Sequence, residues 1–101
     1  MERPIEVFKA TPASLMALMV ARLRLMGEAT VADWEQEVFR AVTGRTRAEV
    51  DWTYSPNEVG YALWLRTFGQ MAAQLMVRGE VQTETRAGQT VVVPRQAGPL
   101  S

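Results

Sequence analysis

After Gly79 the apolar residues of this 101-residue chain stop recurring at helical spacing and begin to alternate. A period of two scatters its side chains around a helix but sorts them onto the two faces of a strand, so the change predicts helices first and strands last. In the segment from Val81 to Arg86, Val81, Thr83 and Thr85 alternate with Gln82, Glu84 and Arg86. Ala87-Gly88 is a turn signal, and Gln89 to Val93 supplies a β-branched return strand that ends at Pro94. The two strands predict a hairpin.

Three helices are expected upstream. Thr11-Pro12 reads as an N-cap with proline at the first helical position, and Gly27 as the stop. Only Arg22 and Arg24 interrupt the apolar run between them. A helix with so little polar face is buried by the rest of the domain or by a second copy of the chain. Leu15, Met16, Met19, Leu23 and Met26 are the candidate dimer surface, and filling an irregular core is the other use of such methionines. The second helix is expected from Thr30, where Thr30-Val31-Ala32-Asp33 is a relative of the capping box, to Gly44. Val31, Trp34, Val38 and Val42 form its inner stripe, and Asp33, Glu35 and Glu37 its outer face. A short helical turn around Ala48 to Asp51 and an aromatic loop at Trp52 and Tyr54 follow. The third helix opens on the capping box Ser55-Pro56-Asn57-Glu58 and runs to Gly79. Tyr61, Trp64, Leu65, Phe68, Ala72, Leu75 and Met76 are its expected core stripe. The organisation is an arm over residues 1–10, one domain over 11–94 and a loose tail over 95–101.

Composition narrows the chemistry. Apolar residues make up 48% of the chain and charged ones 22%, a globular balance at single-domain length. The chain has no cysteine and no histidine. Disulfides, thiolate nucleophiles, imidazole acid–base catalysis and ordinary zinc sites therefore fall away, and no metal or other cofactor is expected. Glu35 and Glu37 sit two apart on a helix and point to different faces, so they make no carboxylate pair. An enzyme is not expected. No apolar run is long enough for a membrane span, and a cytoplasmic protein is the expectation.

The succession of three helices and a hairpin, with LMVRGEVQTETRAGQTVVVP passing from helix through an Arg-Gly turn into the strands, resembles the winged helix-turn-helix domain. The resemblance runs from Thr11 to Pro94, and GEATVADWEQEV resembles the family's short strand before the second helix. It implies a mainly α fold with a C-terminal β-hairpin, the third helix serving as recognition helix and the hairpin as wing. About eleven residues separate helices two and three, more than in the tighter members of that family. An insertion there repositions the third helix.

Double-stranded DNA is the partner this resemblance implies, with the third helix in the major groove. Opposite its apolar stripe that helix carries Arg66, Thr67, Gln70, Gln74 and Arg78, and no Asp or Glu occurs from Val59 to Gly79. Arg, Gln and Thr reach base edges and phosphate oxygens, whereas a carboxylate would meet phosphates. The wing offers Arg86 and Gln89, with Arg86 placed to meet phosphate or the minor groove. Arg45 and Arg47 form a second small basic site, although Glu49 and Asp51 follow at once.

Eleven basic residues balance eleven acidic ones over the whole chain. Residues 60–101 carry four basic groups against two acidic, whereas residues 27–59 carry three against seven. With so few cations a monomer would hold nonspecific DNA weakly, and a homodimer would double the contacts. The alternative is a protein-binding module, an adaptor or small inhibitor, docking through Glu35, Glu37, Trp52 and Tyr54 of the acidic middle.

Overall fold

The computed structural model describes residues 11–95. The expected arm over residues 1–10 and residues 96–101 of the expected tail lie outside the described residues. The first helix, α1, spans Pro12–Met26. Its cap is the expected one: Thr11 Oγ1 accepts from the Ser14 amide at 3.1 Å. Gly27 ends it at φ 82°, its own amide donating to the Leu23 carbonyl. Helix α2 spans Val31–Thr43, with Thr30 Oγ1 accepting from the Asp33 amide and Gly44 left-handed at its end. A 3-10 turn at Arg47–Glu49 lies in the connector, and α3 runs over Ser55–Val77. The strands β1 (Val81–Arg86) and β2 (Gln89–Pro94) pair antiparallel, with Val81 opposite Pro94 and Arg86 opposite Gln89.

Two central turn residues, Ala87 at φ 51° and Gly88 at φ 79°, close the hairpin. Positive φ at both positions gives the turn the twist of the strands it joins. A single bridge adds a third strand position. The Ala29 amide donates to the Val92 carbonyl at 3.1 Å, and the Val92 amide to the Ala29 carbonyl at 2.7 Å. This bridge lies on the edge of β2 away from β1. The chain is thus mainly helical, three helices and a C-terminal hairpin, with the α1–α2 link stitched to the sheet. No helix among the described residues is long and apolar enough to cross a membrane.

One core joins every element. Trp34, Phe39, Trp64, Met19, Leu23 and Leu75 are fully buried in it, and Val81 and Val92 bring in the sheet. Trp34 meets Phe68 edge-on at 5.0 Å between ring centroids, and Trp64 meets Phe68 at 5.7 Å. Such pairs add about 0.5–1.5 kcal/mol beyond the area they bury. The Trp34 indole donates to the Met19 carbonyl at 2.9 Å, which fixes α2 against α1.

Several expectations are corrected by this packing. Leu15, Met19 and Leu23 are buried and Met16 packs against the core, so the nominated dimer face of α1 is spent inside the domain. Met26 alone of that set is exposed. Ser55 does not cap α3, because it is already helical: Tyr54 occupies the cap position and no side chain closes the turn. The Asn57 side chain is instead buried, its amide nitrogen donating to the Asp51 carbonyl. The core stripe of α3 is also rotated from the expected one. Met71 is buried, whereas Leu65 and Met76 are exposed. Arg95, assigned to the tail, continues the hairpin through its amide to the Glu80 carbonyl.

Candidate nucleic-acid interface

A 23-residue helix facing the core on one side leaves a long face outside. Arg66, Gln70, Gln74 and Arg78 are exposed on α3 and Thr67 is half-buried, so the structure brings the expected polar residues together. Arg66 makes no ion pair among the described residues. Arg78 does: its guanidinium pairs with Glu80 at 2.7 Å and leans on Met16 Sδ at 3.6 Å.

The hairpin tip carries Arg86 and Gln89, both exposed and directly opposite in register. Arg86 is shared between Glu84 at 2.6 Å and Glu28 at 3.4 Å. Exposed pairs of this kind contribute about 0–1 kcal/mol, so a phosphate competes for such an arginine. Arg24 and Arg95 line the same broad groove as Arg86, about 700 Å³ in volume. Sequence reading missed both as site residues. In the sequence Arg24 only interrupts an apolar helix and Arg95 falls in the tail, and the sheet's position is what sets both beside the hairpin.

The second basic site does not form as expected. Arg47 pairs with Glu35, and its guanidinium also lies 4.8 Å from the centre of the Tyr61 ring. Glu35, expected on the outer face of α2, is buried and accepts from the Tyr61 hydroxyl at 2.6 Å. Its other oxygen and the Trp64 indole nitrogen are each buried without a hydrogen-bond partner. Burial pushes the Glu35 carboxyl above the ordinary carboxylate range, against the opposing pull of the Trp64 N–H and the Arg47 charge. Arg45 is half-buried at the end of α2, its amide donating to Thr43 Oγ1 at 3.1 Å. The Arg47 charge is therefore taken up by Glu35 of α2 and the Tyr61 ring of α3.

The aromatic loop is likewise partly consumed. Trp52 stacks edge-on against Tyr61 at 5.1 Å and donates to the Arg47 carbonyl at 3.1 Å. Tyr54 is half-buried. Glu37 stays on the surface, where hydrogen bonds from Arg40 at 3.1 and 2.8 Å hold its carboxyl below the ordinary range. No protein-family model matches the chain, and no curated protein or solved structure matches it either.

Proposed function

We propose that the chain is a small DNA-binding protein of winged-helix type, placing α3 in the major groove and the hairpin on the flanking backbone. One observation carries this reading: α3 holds Arg66, Gln70 and Gln74 exposed on one face, and no carboxylate occurs from Val59 to its end. Arg binds guanine and Gln binds adenine through paired hydrogen bonds in that groove. Arg24, Arg86 and Arg95 beside the wing add charge for the backbone. The role is regulatory binding without chemistry.

Fluorescence anisotropy of a labelled random-sequence duplex tests it, at about 50 and 200 mM salt. Binding should appear at low salt, collapse at high salt and weaken in Arg66→Ala and Gln70→Ala. No binding at micromolar protein under either condition would remove the reading.

A second reading, docking on a protein, is favoured by a shallow groove of about 320 Å³ where Met26 meets Asp33, Gln36 and Glu37. Trp52 and Glu35, the anchors expected for that role, are engaged inside the domain. On this reading Glu37→Arg abolishes capture of the partner while Arg66→Ala leaves it unchanged.

A further inference from the structure

The outer face of α3 is not simply polar. Val77 is 89% exposed, Val59 68% and Leu63 45%. At 100° per residue these three lie within about 60° of one another, and Arg66 and Gln70 fall inside the same arc. Large apolar side chains aligned with hydrogen-bonding ones and exposed to water suit a surface that a partner covers. Gly69 lies about 60° outside that arc, on the exposed flank of the helix. Nothing within 4 Å would meet a Cβ there, although glycine inside an exposed helix costs about 1 kcal/mol against alanine. The domain itself has no use for that bare backbone.

Phosphates on both sides of a major groove suit a face whose one charge is Arg66, and the groove admits one helix. Among base edges, thymine alone presents a methyl group there. We propose that Val59 and Leu63 contact thymine methyls beside the bases read by Arg66 and Gln70, so that the preferred duplex is A·T-rich. This inference rests on the DNA-binding reading above and names the substrate class of the same face. From Val59 to Gln70 the helix rises about 16 Å, which spans about five base pairs.

The test compares three labelled duplexes of equal length by anisotropy at about 50 mM salt: alternating A·T, the same duplex with deoxyuridine for thymidine, and alternating G·C. Deoxyuridine removes the methyl and keeps every hydrogen-bonding group. The A·T duplex should bind about fourfold to fifteenfold tighter than its A·U counterpart, the scale of one or two buried methyls. Leu63→Ala should close that gap, and Val59→Ala should narrow it. Arg66→Ala should weaken binding to all three and leave the gap in place. Helical circular dichroism confirms that each variant is folded.

Equal affinity for A·T and A·U, or a gap that Leu63→Ala leaves unchanged, would overturn the inference while leaving DNA binding intact. No binding to any duplex would remove both. Sedimentation equilibrium of the protein alone supplies the remaining outcome: a dimer that Leu63→Ala dissociates would assign this face to a second copy and overturn the inference.

Discussion

Two residues hold conformations that cost the fold something. Ala87 sits at φ 51°, where the Cβ of an L-residue crowds the following carbonyl oxygen at about 1–2 kcal/mol. Asparagine tolerates that region, and Asn-Gly is the favoured pair for this turn. Ala87→Asn should therefore raise stability by about 0.5–1 kcal/mol, seen as a higher urea midpoint with an unchanged m-value. Glu35 is the other. Its folded-state pKa lies above the ordinary value because it is buried, so the folded protein holds this proton more tightly than the unfolded chain does. The group's contribution is most favourable in acid and is lost as pH rises through the interval up to that raised pKa. Glu35→Gln carries no such loss and can still accept from Tyr61. Its stability relative to the parent should increase as pH rises above the ordinary glutamate pKa of about 4.3 in parallel urea titrations. A gap that stays flat or shrinks would mean that Arg47 fully offsets the burial.

At the scale of elements, the same apolar character that suggested a dimer face makes α1 a core helix. Leu23 is fully buried, so Leu23→Ala should lower unfolding free energy by about 2–5 kcal/mol and leave sedimentation behaviour unchanged. A change in association without loss of stability would contradict the packing. The caps at Thr11 and Thr30, the stops at Gly27 and Gly44 and the two-residue turn were legible in the sequence, because each rests on chemistry between near neighbours. What could not be read is set by contacts far along the chain. Ser55-Pro56-Asn57-Glu58 has the letters of a capping box, yet Asn57 is taken up by Asp51 and helix α3 starts a residue early. Glu35 has the spacing of a surface acid, and only Arg47 and Tyr61, 12 and 26 residues away, make its burial tolerable. The polar face of α3 was legible from its winding, but the apolar residues aligned with it were not. Val59 and Leu63 look like core letters until the rotation of the helix is known.

For the molecule as a whole, the DNA-binding proposal turns on charge. Few arginines stand clear of carboxylates: Arg24, Arg66 and Arg95 make no ion pair among the described residues, whereas Arg78 and Arg86 are drawn toward Glu80, Glu84 and Glu28. Three to five phosphate contacts per protomer correspond to a slope of about −3 to −4.5 in log K against log salt. Glu84→Gln releases Arg86 from its nearer partner and should tighten nonspecific binding, with a steeper slope in the same titration. A slope near zero would speak for docking on a protein.

The Ala29–Val92 bridge divides the hairpin into two kinetic zones. At its base, the Val92 amide is tied to the α1–α2 link and lies in the common core, so its proton can leave only when the domain opens as a unit. Beyond Val91 the strands have only each other, and every residue from Thr85 to Thr90 is exposed. Amide protons there should exchange with deuterated solvent through local fraying, orders of magnitude faster than at Val92. The hairpin is thus a cantilever, clamped at the root and free to bend at its tip, and on the DNA-binding reading a duplex should register first as slowed exchange around Arg86 and Gln89.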